Sequence, residues 1–175
     1  MTKYEFASKA WMHALHREIA DMVRAAPADL RYSLCEVFTG VPKHLDRNGT
    51  GKLAWSCFVE GSQVQFTETE RDDVDMKTTA DYTYLIPLAH WHINEETRAA
   101  LNKYLEEGAR DGKIVRVGDP ARSPAILNGL HNAVIAFTAG FVLDAVASVV
   151  PSEGGSRFVS AAGFTPAAMA ARTAD

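Results

Sequence analysis

Between Pro124 and Val142 the chain carries no Asp, Glu, Lys or Arg, and this run limits the fold more than any other stretch. A helix without charge over such a length is apolar on more than one face, so protein, a partner or a bound ligand has to cover it. The stretch Gly112–Phe137, GKIVRVGDPARSPAILNGLHNAVIAF, shows how it begins. Ile114, Val115 and Val117 form a β-branched strand closed by Gly118, and Ser123 followed by Pro124 reads as an N-cap and first-turn pair. A long apolar helix is therefore expected from Pro124. Ala125–Val150 is a poor membrane span, because it contains Asn128, His131, Asn132 and Asp144 and is broken by Gly129 and Gly140. It suits a core helix.

With 175 residues the chain is long enough to bury a core without metals or disulfides as staples. A single domain is expected over 1–150, with a Gly-, Ser- and Ala-rich tail over 151–175 that is either loosely ordered or docked through Phe158, Val159, Phe164 and Met169. Eighteen Lys and Arg stand against 22 Asp and Glu, and no basic cluster is present. Nucleic acid is thereby excluded as an expected partner. Cys35 and Cys57 fall inside predicted strands and no leader opens the chain, which points to a reduced, cytoplasmic protein with two buried thiols.

Along the chain, Ala7, Trp11, Leu15, Ile19 and Val23 recur at helical spacing, predicting an amphipathic helix over Thr2–Ala25 that Pro27 ends. Tyr32, Leu34, Glu36 and Phe38 then alternate with Arg31, Ser33, Cys35 and Val37, a strand pattern stopped by Gly40 and Pro42. Lys52–Glu60 alternates through Leu53, Trp55, Cys57 and Val59, and Gln63–Thr67 resumes beyond a Glu-Gly-Ser turn; the two read as an antiparallel hairpin with one covered face. The run Glu68–Asp75 reads as a solvated connection into a short strand at Val74–Thr78, since it lacks the alternate-position oxygen ligands and central Gly of a calcium loop. Thr79 is expected to cap a helix over Ala80–His90, with Pro87 a kink, and Asn94 another to about Gly108.

That order gives an α+β fold, one mostly antiparallel sheet covered on one face by helices. Three segments carry a resemblance to a family: Gly51-Lys52-Leu53-Ala54-Trp55 opening a strand before a Glu-Gly turn, Val74 to Tyr82 (VDMKTTADY) as a strand-to-helix junction, and Gly112 to Asp119 (GKIVRVGD). Together they resemble the sterol carrier protein 2-like (SCP2-like) lipid-binding domain over roughly Leu30–Ala139. The resemblance implies a five-stranded sheet with helices on one side and, between them, an apolar tunnel for fatty acyl chains, acyl-CoA or sterols. Its expected lining is Trp55, Phe66, Leu85, Leu127, Leu130, His131, Val134, Phe137 and Phe141. The chain departs from the simple carriers in its longer first helix, in the helices around AHWHINEET and in the tail after Ala139.

Candidate chemistry is sparse. His90 and His92 flank Trp91 but have no third ligand at short spacing except Glu95 and Glu96, and His13 with His16 suits an exposed helical face, so no metal site is expected. No cofactor is expected either: RNGTGK lacks phosphate-loop spacing and precedes a strand, and no Gly-x-Ser-x-Gly elbow is present. His131, inside the uncharged run, must hydrogen-bond something. It is either a core histidine bonded to a backbone carbonyl or Tyr, or, with Asn128 and Asn132, it projects polarity into the pocket.

The expected function is binding or transfer of a hydrophobic small molecule such as a fatty acyl chain, acyl-CoA, sterol or terpenoid. The alternative is an enzyme with the tunnel as active site, in which His131, with Asp81 or Tyr82, performs acid–base chemistry on a steroid, terpenoid or polyketide-like substrate. A homo-oligomer built on the apolar helix and tail is a third reading.

Overall fold

The structure, a computed structural model, describes residues 2–140. Phe141, the domain boundary expected at 150 and the tail lie outside the described residues.

Ser8 opens the first helix by accepting the Trp11 amide, so α1 runs Lys9–Val23 rather than from Thr2. The preceding residue, Ala7, sits at φ 65° and breaks the helix there, while Tyr4 pairs in parallel with Thr138. Five strands follow: β1 (Arg31–Thr39), β2 (Lys52–Glu60), β3 (Gln63–Thr67), β4 (Met76–Asp81) and β5 (Ile114–Gly118), in the spatial order β3-β2-β1-β4-β5. The β2–β3 hairpin falls where the alternation places it. All neighbours are antiparallel except β1 and β4, which run parallel.

The β4 strand extends to Asp81, later than the sequence suggests, because it pairs with β1 on one side and β5 on the other. Two-sided pairing outweighs the helical pattern of residues 80 and 81. Asp81, not Thr79, therefore caps α2 (Tyr82–Leu88), accepting the amides of Thr83 and Tyr84. Pro87 lies in its last turn. Asn94 caps α3 (Glu95–Arg110) through a reciprocal box with Thr97.

The long helix expected from Pro124 does not form as one element. Ser123 ends a 3-10 turn, Pro120–Arg122, and Pro124 is extended at ψ 138° before a second turn, Ala125–Leu127. Only after Gly129 does α4 (Leu130–Phe137) begin. A Ser-Pro pair serves a tight turn as well as a helix start, and here the chain has to turn from the sheet edge back over α1.

The helices cover one face of the sheet. Tyr32, Leu34 and Phe38 of β1, Leu53, Trp55, Cys57 and Val59 of β2, Met76 of β4 and residues of α1 and α4 share one core, and Ala80, Ile114, Leu88 and Leu101 form a second under α3. On the opposite face the charged run acts as a strap. Arg71 donates its amide to Cys35 Sγ at 3.4 Å, its guanidinium lies over the Phe58 ring, and Asp75 accepts from the Ser33 amide and hydroxyl. The strap lies over Cys35, which is buried although it is on the face away from the helices.

Candidate functional site

Between sheet and helices the core leaves a cavity of about 80 Å³. Its roof is Trp11 and Leu15 of α1, Leu85 of α2 and Leu130, His131 and Val134 of α4. Its floor is a row across the sheet. Trp55 of β2 is the register partner of Glu36 on β1, Glu36 that of Thr78 on β4, and Thr78 that of Arg116 on β5. All four face the cavity. Strands about 4.8 Å apart separate the Glu36 and Arg116 backbones by roughly 10 Å.

This floor is electrostatically unusual. Burial pushes the Glu36 carboxyl up to about 8, opposed by the Arg116 guanidinium and the Trp55 indole, so the carboxyl is largely protonated at neutral pH. The indole N–H lies close enough to favour the charged carboxylate but makes no well-formed hydrogen bond. Burial lowers the Arg116 pKa, against the attraction of Glu36, yet a guanidinium stays charged. The two are not within ion-pair distance of one another among the described residues.

Periodicity already held the signal for both. Glu36 occupies the apolar side of the Tyr32, Leu34, Phe38 alternation, and Arg116 stands between Ile114 and Gly118 on the covered side of β5. Taken alone, each strand pattern tolerates one polar residue on its covered side. Only the register brings them into one row.

Five of the expected lining residues, Trp55, Leu85, Leu130, His131 and Val134, do line the cavity. Phe66 instead stacks between Trp55, at 5.3 Å, and His16, at 5.1 Å. Leu127 is buried in the main core, and Phe137 packs edge-on against Trp11. Neither reaches the cavity.

His131 donates from Nε2 to the Trp91 carbonyl at 2.9 Å. Burial, reinforced by His92, brings its pKa down to about 3, so the ring is neutral. Asn132 turns from the cavity and clips Ile93, accepting its amide at 2.8 Å and donating to its carbonyl at 2.9 Å. These two neighbours bind α4 to residues 91–93. Asp81 is spent on the α2 cap and an ion pair with Lys113, and the Tyr82 hydroxyl donates to the Phe6 carbonyl at 3.3 Å, with burial raising its pKa. His92 is exposed while His90 is half-buried, and no group of three His, Cys, Asp or Glu among the described residues could hold a metal ion. Nor is any described helix long and apolar enough to cross a membrane.

No protein-family model matches the chain, and no curated protein matches it. Among solved structures it is similar to a sterol carrier protein 2, at 14% identity over 77% of this chain and 100% of that one, with a TM-score of 0.49. A conserved hypothetical protein of Thermus thermophilus proposed to be a sterol carrier is similar at 16% identity over 80% and 94%, TM-score 0.42. A UbiJ-SCP2 ubiquinone synthesis protein is similar at 13% identity over 73% and 92%, TM-score 0.36. These carry the names of the family that the sequence motifs resemble.

Proposed function

We propose that this chain binds a hydrophobic small molecule between its sheet and its helices, and that the cavity is the closed form of that site. The observation that carries the reading is the cavity itself, walled on the helix side by aliphatic and aromatic side chains. Apolar concavities with few convergent polar groups are the usual form of small-molecule sites. The SCP2-like motifs of the sequence support the same reading.

Size sets the condition for binding. An engineered cavity of about 150 Å³ takes benzene, and drug-sized ligands occupy roughly 300–1,000 Å³; this cavity, at about 80 Å³, is smaller than either. A fatty acyl chain, sterol or terpenoid therefore enters only if α1 and α4 move outward from the sheet. Burial of its apolar surface, at about 25 cal/mol per Å², drives that opening.

Nothing favours the enzymatic alternative through His131, Asp81 and Tyr82, because the imidazole is neutral with its Nε2 proton committed and the other two hold the backbone. Trp11 and Trp55 both line the cavity, so tryptophan emission reports occupancy. Titration with 1-dodecanol, an uncharged apolar probe, is expected to give a saturable change in emission and a one-to-one adduct in native mass spectrometry. No change and no adduct would overturn the reading.

A further inference from the structure

The floor of the cavity is a second recognition element that the apolar roof does not explain. Glu36, Thr78 and Arg116 are in register on three adjacent strands and point the same way. Neither Glu36 nor Arg116 makes an ion pair among the described residues, and the polar group beside the Glu36 carboxyl is the Trp55 indole, so the rest of the carboxyl and the guanidinium are left to the cavity. Keeping two such groups inside a core is costly unless something else satisfies them.

We propose that Glu36, Thr78 and Arg116 anchor the polar end of the ligand, and that this ligand is an apolar molecule ending in a carboxylate, inserted head first onto the sheet. The inference rests on the binding reading above and adds where the ligand's head lies and what it is. Three features of the site select that chemistry. Arg116 offers a planar fork of N–H donors that matches a carboxylate in two parallel hydrogen bonds. Thr78, buried between the two, offers a hydroxyl. Glu36, largely protonated at neutral pH, donates a third hydrogen bond instead of repelling the anion.

The remaining titratable group on the cavity wall is His131, which is neutral, and the Cys57 thiol of β2, on the same face of the sheet, is pushed up to about 12 by burial and is neutral too. The floor therefore carries one net positive charge. A cavity of about 80 Å³ is of a size for such a head group and not for its tail. The polar half of the site is thus preformed, and the apolar half opens.

The test compares dodecanoate with 1-dodecanol, which share a chain length and differ at the head, by tryptophan titration at about pH 6.5. The wild type is expected to favour dodecanoate by about tenfold or more, the scale of one charge-assisted hydrogen bond. Arg116→Gln is expected to erase that preference by weakening dodecanoate by about tenfold more than it weakens dodecanol. Equal affinity of the wild type for both probes, or a preference that survives Arg116→Gln, overturns the anchor and leaves the apolar site standing. If neither probe binds, the site and its anchor both fall.

A readout without an Arg116 variant guards against misfolding. Raising the wild type to about pH 9.5 ionises Glu36 and should reduce the dodecanoate preference by about tenfold, whereas Glu36→Gln should show no such loss. A wild-type preference unchanged across that range overturns the role of Glu36.

Discussion

Replacing Glu36 by Gln should stabilise the protein, and the gain should grow with pH. In the unfolded chain a glutamate releases its proton near the ordinary value of 4.5, while in the native cavity burial delays release to about 8. Between those values the native state holds one proton more than the unfolded state. Stability contributed by the protonated carboxyl is therefore fully present below about pH 4.5 and is lost as pH rises through 8. The separation corresponds to about 5 kcal/mol, accrued at about 1.4 kcal/mol per pH unit. Against a total of about 5–15 kcal/mol for an ordinary domain, that loss is large enough to show clearly in an unfolding curve. Glutamine keeps the shape and has no proton to lose. Urea unfolding of both proteins at pH values from about 5 to 9, read as the midpoint at constant m, checks this. Because every other titrating group is common to the two, the difference curve isolates Glu36. It should start near zero, widen through neutrality and level off above pH 8. A difference independent of pH would refute the reasoning, since it would mean that Glu36 titrates alike in both states and is solvated in the native cavity.

Two structural predictions accompany it. Gly118→Ala should destabilise the sheet edge by at least about 2 kcal/mol, measured by chemical denaturation, because Gly118 sits at φ +117° and an added Cβ would come within 2.1 Å of the Asp75 carbonyl oxygen. Asn132→Ala should cost about 1–3 kcal/mol by leaving the Ile93 amide and carbonyl unpaired, and hydrogen exchange should show the Ile93 amide losing protection before the strands do.

Local signals carried the hairpin, since β2 and β3 alternate cleanly around a Glu-Gly-Ser turn, and they carried α3, whose Asn94 cap lies one residue from the helix. Non-local forces decided the rest. The start of α1 depends on Phe6, which stacks against Phe38 and Tyr82 from other elements, and no spacing within the first ten residues announces that. Asp81 stays extended because it pairs with Thr39 of β1 and donates its amide to the Lys113 carbonyl just before β5. The candidate site was half legible: Trp55, Leu85, Leu130 and Val134, expected as lining, do border the cavity, and His131 was marked as a residue in need of a partner. Glu36 and Arg116 each break an apolar face, which is a signal, but that they share a row depends on a parallel β1–β4 pairing that no short-range pattern encodes.

The stitching of the N-terminal segment to the end of α4 has a consequence for how the chain acquires its shape. Tyr4 exchanges backbone hydrogen bonds with Phe137 and Ala139, and the Trp11 indole donates to Thr138 Oγ1 across 127 positions of sequence. These contacts join residues more than 120 positions apart, and α1 packs on β3 as well as on α4. Closure of α1 over the sheet therefore depends on pairings of high sequence separation, which carry a large loop-closure cost and slow folding.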